Sequence, residues 1–195
     1  MPIFEQMFTN TAFVDLLQGS NLDRREDSDD PDIFQVSPYY DDEGFVKIMK
    51  SKLNSFVLLS LNIQSLNAKF DQFKAYIEKY NENHNKISMI CLQESWLAAG
   101  GDLSLLQLEG YNLISSGKSC SRHGGVAVYL DKQFKFNIIE TLTSNLWDGQ
   151  FLEILIPNSR NGTAKLIVGN IYRPPRQLVE NINSFIDEIS NMISQ

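Results

Sequence analysis

From residue 56 onward the chain switches repeatedly between two hydrophobic patterns. "FVLLSLNI", residues 56–63, reads as a strand, with Phe56, Leu58, Ser60 and Asn62 on one face and Val57, Leu59, Leu61 and Ile63 on the other. "SLNAKFDQFKAYIEKYN" then takes helical spacing. Leu66, Phe70, Phe73, Ile77 and Tyr80 fall on one stripe, and Ser65 or Asn67 offers a cap for the start. Beyond the polar loop "NENHNK", strands are predicted in "ISMICLQES", "GYNLISS", "GVAVYL", "FKFNIIETL", "QFLEILIP" and "AKLIVGNIYR". "GKSCSRHGG" is a loop between the third and fourth strands, and Asn161-Gly162 suits a hairpin turn between the last two. The final segment is amphipathic, with Leu178, Ile182, Phe185, Ile186, Ile189 and Ile193 on one helical face. Many strands and two helices, mostly without a helix between strands, predict an α+β fold rather than a repeated βαβ wind. No strand follows the last helix, so an incompletely covered apolar patch is expected there and on the last strands.

Composition divides the chain. Residues 1–44 hold eleven acidic and two basic side chains, a net charge of −9, while residues 45–195 hold thirteen and fifteen, a net of +2. The first part, with "NLDRREDSDDPDIFQ", is predicted to be a solvated, disordered acidic tail, and residues 45–195 a single folded domain. A basic partner for the tail is the alternative. The mildly basic remainder is compatible with phosphate contacts but lacks a strong electrostatic footprint. Cys91 and Cys120 show neither disulfide-framework nor metal-ligand spacing, which fits a reducing compartment. No stretch is long and apolar enough to span a bilayer, and "MPIFEQMFTNTAFVDLLQGS" lacks the basic start of a signal peptide. No membrane partner is therefore expected.

Three polar residues stand at strand ends inside apolar surroundings: Asn62 in the first strand, Glu94 in "MICLQESWL" and Tyr172 in "VGNIYRPP". A carboxamide or carboxylate in such a place must find partners or meet a ligand. If the strands run side by side in one orientation, their ends share a rim. Glu94 and Asn62 there offer hard oxygen ligands to magnesium, which takes few protein carboxylates together with water and substrate phosphate. The ion polarises a phosphoryl oxygen, and the Tyr172 hydroxyl can bond a phosphate. The plainer readings stay open: strand-end residues meeting solvent, Tyr172 packing at an edge, and Arg173 and Arg176 as exposed charges. His123 and His84 read as loop histidines rather than bases, and Gly124-Gly125 as a tight backbone turn. Motifs for serine esterases, zinc proteases, phosphate-loop enzymes and dinucleotide binding are all missing. The glycines of "AAGGDLSL" belong to a loop.

"LSLNIQSLNAKFDQFK", "ICLQESWL", "GYNLISS", "RHGGVAVYL" and "VGNIYRPP", in this order, resemble the endonuclease domain of non-LTR (LINE-type) retrotransposons, over about residues 54–190. That domain belongs to the endonuclease/exonuclease/phosphatase superfamily, with a DNase-I-like fold. The resemblance implies a four-layer α/β sandwich, two mixed sheets with helices outside, and magnesium-dependent cleavage of DNA. Asn62 matches the active-site asparagine, Glu94 the metal-binding glutamate and Tyr172 the active-site tyrosine. Ser95 stands where many relatives carry threonine. The family's later Gly-Asp-Phe-Asn and Ser-Asp-His motifs have no counterpart here, so the resemblance implies an N-terminal portion with an incomplete site, weak or absent magnesium binding and no cleavage. A non-catalytic remnant or binding module is the alternative, and a phosphatase of the same superfamily a third. The resemblance also implies an intracellular setting, the nucleus among the options, and leaves the oligomeric state open.

Overall fold

The computed structural model describes residues 44, 47, 55–81, 86–117, 123–144, 146–158, 162–175 and 178–193. The acidic segment before residue 44, His84, Cys120, Asn161 and Arg176 lie outside the described residues. The order of elements is β1 (Leu58–Asn62), α1 (Leu66–Asn81), β2 (Met89–Gln93), β3 (Tyr111–Ser115), β4 (Val126–Asp131), β5 (Lys135–Thr143), β6 (Asp148–Asn158), β7 (Gly162–Tyr172) and α2 (Val179–Ile193). A short 3-10 turn, Ser104–Leu106, lies in the loop after β2.

Four layers result. The first sheet has the order β1-β2-β4-β3 and the second β5-β6-β7. Alternation along the strands decides what each layer meets. Leu59, Leu61 and Ile63 turn to α1, where Leu66, Phe73, Ile77 and Tyr80 close one core, together with Ile90, Leu92, Ala127 and Tyr129. The opposite faces meet the second sheet, where Phe56, Met89, Cys91, Val128 and Leu130 pack on Leu152, Ile154 and Ile156. This is the face assignment expected for β1. The fourth layer is α2, whose Phe185 meets the buried Trp147 ring edge-on at 5.4 Å, while Trp147 Nε1 donates to Glu188 at 2.6 Å.

The first sheet is mixed: β1 and β2 run parallel, and β4 runs antiparallel to both β2 and β3. The second, expected to be mixed as well, is antiparallel throughout the described residues. Its strands follow each other through short connections, and a parallel neighbour would require a crossover of a dozen residues or more. β1 and β2 can lie parallel because α1 supplies that crossover. Ser65 Oγ accepts the Ala68 amide at 3.4 Å, so Ser65 is the residue that caps α1. At the far end of the first sheet Lys86 pairs with Asp131 at 2.9 Å, donates to Gly110 O and stacks on Tyr111, closing the start of β2 against β3 and β4. A cavity lined by Ile77, Asn81, Lys86 and Tyr111 lies at this end, away from the strand termini discussed next. No helix among the described residues is long and apolar enough to cross a membrane.

Candidate active site

The C-terminal ends of β1 and β2 do not separate where their ladder stops. Ile63 N bonds Gln93 O at 2.9 Å, Ser65 N bonds Glu94 O at 2.9 Å and Leu66 N bonds Ser95 O at 3.0 Å. On the other side, Ser95 N and Trp96 N bond Gly125 O and Gly124 O at 3.1 and 3.0 Å. Strapped between these neighbours, Glu94 holds φ at +51° and Trp96 at +55°, and Gln64 and Ser65 also take positive φ. These are the four non-glycine residues with positive φ among those described, and all lie at the ends of two adjacent strands. Each such conformation costs of order 1–3 kcal/mol and persists only where the surroundings over-determine it. The strain is concentrated at one rim.

The three residues singled out in the sequence meet there. Asn62 Nδ2 donates to Glu94 Oε1 at 2.9 Å, and the Tyr172 phenol lies close enough to the Glu94 carboxylate for that group to raise its pKa. Burial, followed by the charge and hydrogen bonding of Glu94 and then the charge of Asp148, pushes the Tyr172 phenol up to about 12. Tyr172 therefore faces the site as a protonated donor at neutral pH. Asn62 is exposed, and Glu94 and Tyr172 are half-buried, so a solute can reach the group.

The route to this convergence differs from the one expected. Tyr172 does not come from a strand aligned with β1 and β2 in one sheet. It ends β7 in the second sheet, opposite Asp148 at the start of β6. The two sheets face each other, and the end of β7 reaches the rim of the first sheet across the gap. Arg173 is exposed immediately beyond. His123 is exposed in its loop, its ring edge-on to Trp96 with centroids 5.9 Å apart.

Four polar side chains behind the rim were not anticipated. Asp148 is fully buried, and its Oδ2 accepts the Gly125 amide at 2.8 Å, anchoring the loop that holds Ser95 and Trp96. Asn170 and Gln150, register partners on β7 and β6, are both buried, and Gln93 on β2 joins them from the first sheet. The signal that singles out Asn62, an amide inside an apolar run, also stands at Asn170 in "LIVGNIYR".

One carboxylate and one amide oxygen form a sparse set of hard ligands, and among the described residues no three His, Cys, Asp or Glu side chains gather into a cage. The set suits an ion that keeps several waters and completes its shell with substrate oxygens, which is the habit of magnesium. Zinc, which prefers four nitrogen or sulfur ligands, does not fit.

The model for the endonuclease/exonuclease/phosphatase family matches residues 59–185. The match spans most of the described domain, and the chain belongs to that family. Its α+β sandwich, two sheets with helices outside, is the described part of a hydrolase domain of this class. No curated protein matches the chain. Among solved structures, the human Nocturnin catalytic domain with bound sulfate anion is similar, at 16% identity and a TM-score of 0.42. That alignment covers 70% of this chain and 58% of that one, so the chain spans little more than half of its length.

Proposed function

We propose that the chain is a magnesium-dependent phosphodiesterase domain whose substrate is DNA, of the kind carried by LINE-type retroelements. The observation that supports this most directly is the carboxylate of Glu94 accepting from the Asn62 amide, with the Tyr172 phenol beside it, at a strained, solvent-reachable rim. In this reading Glu94, with the Asn62 amide, holds the ion, which when bound supplies Lewis acidity to a phosphoryl oxygen. The Asn62 amide fixes the carboxylate by donating from Nδ2, leaving Oδ1 as its ligand atom. The protonated Tyr172 hydroxyl turns from Glu94 to a phosphate oxygen when substrate enters. DNA rather than a smaller phosphate ester is favoured by the "YRPP" ending and by the mildly basic charge of residues 45–195.

Hydrolysis also needs a positioned base, worth typically 10²–10⁴-fold. Within these 195 residues the family's Ser-Asp-His motif has no counterpart, and His123 is turned to Trp96. The chain as it stands therefore binds the ion and phosphate but nicks DNA weakly or not at all. The experiment is relaxation of supercoiled plasmid with magnesium, by this chain and by a version extended through the two later family motifs. Nicking by the extended version alone, lost in Glu94→Ala, is expected. Strong nicking by the 195-residue chain would overturn the missing-base argument. An inert extended version that nevertheless folds would overturn the endonuclease reading.

A further inference from the structure

The space between the sheets changes chemistry along the strands. At one end it is filled by Phe56, Met89 and Ile154, and toward the rim by Ser60, Gln93, Gln150 and Asn170. Asn170 lies two residues before Tyr172 on the same face of β7, and every polar atom of its side chain reaches the first sheet. Nδ2 donates to Leu92 O at 3.2 Å and Ala127 O at 3.0 Å, and Oδ1 accepts from Gln93 Nε2 at 2.7 Å. Gln93 Nε2 is also 3.2 Å from Ser60 Oγ, which carries the tie on to β1. An apolar side chain would fill this space without the cost of desolvating an amide, as Leu152 and Val168 do deeper in. What the amide adds is direction. Within the described residues β7 pairs with β6 on one side only, so no second ladder holds its end. Apolar packing tolerates sliding of one sheet over the other by tenths of an ångström, whereas a hydrogen bond loses its strength over that range. The Tyr172 hydroxyl and the Glu94 carboxylate belong to different sheets and must still meet.

We propose that Asn170, seconded by Gln93, is a positioning residue: its three hydrogen bonds register the end of β7 on the first sheet and thereby set the Tyr172 hydroxyl on Glu94. Its consequence for cleavage rests on the function proposed above, but the geometric role does not. The test is therefore made without DNA or metal. The full chain is treated with tetranitromethane at mildly alkaline pH, and nitration of each tyrosine is followed by peptide mass spectrometry. Tyr111 and Tyr129 are internal controls, buried and bonded to Ile87 O and Leu106 O, both at 2.6 Å. In Asn170→Ala, nitration of Tyr172 is expected to rise on the order of tenfold, the factor that accompanies loss of one hydrogen bond to a charged group, with both controls unchanged. Gln93→Leu leaves the two backbone bonds of Asn170 in place and gives a smaller rise at the same tyrosine. An unchanged Tyr172 rate, or an equal rise at all three tyrosines, would overturn the assignment. Should Asn170→Ala fail to fold, Gln93→Leu carries the same test with the same two outcomes.

Discussion

Glu94, Gln64 and Gly125 all take positive φ at the same rim, and their different chemistry makes the strain measurable residue by residue. Gln64 is exposed and sits at φ +49°, so Gln64→Gly removes a penalty without removing a core contact. It should stabilise the chain by about 1 kcal/mol, read as a higher urea midpoint at unchanged slope. Gly125 is the reverse case. Its φ is +76°, an added Cβ would stand 3.1 Å from Ser95 Oγ, and its amide and carbonyl hold Asp148 and Ser95. Gly125→Ala should cost about 1–2 kcal/mol by the same measurement and loosen the Glu94 turn. Deeper between the sheets, burial pushes the Cys91 thiol up to about 12 from its ordinary 9.0. The unfolded thiol ionises near 9 while the folded one keeps its proton, so the unfolded state binds fewer protons and stability falls as pH rises between 9 and 12. Cys91→Val should flatten that part of the alkaline stability curve, and native Cys91 should resist thiol reagents until the chain unfolds.

At the scale of elements, legibility follows period. The alternation of β1 and the stripe of α1 are local signals, and each strand and helix expected from them is present, with ends shifted by a residue or two. The 3-10 turn at Ser104–Leu106 and the register shift between Ile138 and Glu140 carry no periodic signature and were not legible. Nor was the sheet to which β7 belongs, because pairing depends on contacts far apart in the chain. Asn62, Glu94 and Tyr172 were picked out as polar residues at strand ends. Gln93 closes β2, Asp148 opens β6 and Asn170 lies inside β7, and sequence alone does not tell an inward polar side chain from an outward one. Two core positions make the element account testable. Phe73→Ala empties the α1 core and should cost about 3–5 kcal/mol. Gly169→Ala places a Cβ 2.7 Å from the Phe151 ring, which lies against β7, and should cost about 1–3 kcal/mol through forced repacking. Urea unfolding checks both.

For the whole molecule, the two outer layers are unequal. On the α1 side Leu105 of the 3-10 turn is the one exposed large apolar side chain among the described residues, whereas on the other side Leu178, Val179 and Ile186 of the α2 region and Ile167 of β7 are all more than half exposed. This is the thinly covered apolar surface expected around the last helix, and it predicts concentration-dependent self-association that Ile167→Lys reduces, checked by light scattering. The layers themselves serve the rim: one sheet carries Asn62 and Glu94, the other carries Tyr172, and the polar cluster between them keeps the two in register. The most direct measurement of that claim is calorimetric titration of manganese, as a stand-in for magnesium, into the purified chain. One weak site per chain is predicted, abolished by Glu94→Gln, weakened by Asn62→Leu and unaffected by Asp131→Asn at the far end of the first sheet. Binding that survives intact in Glu94→Gln would contradict it.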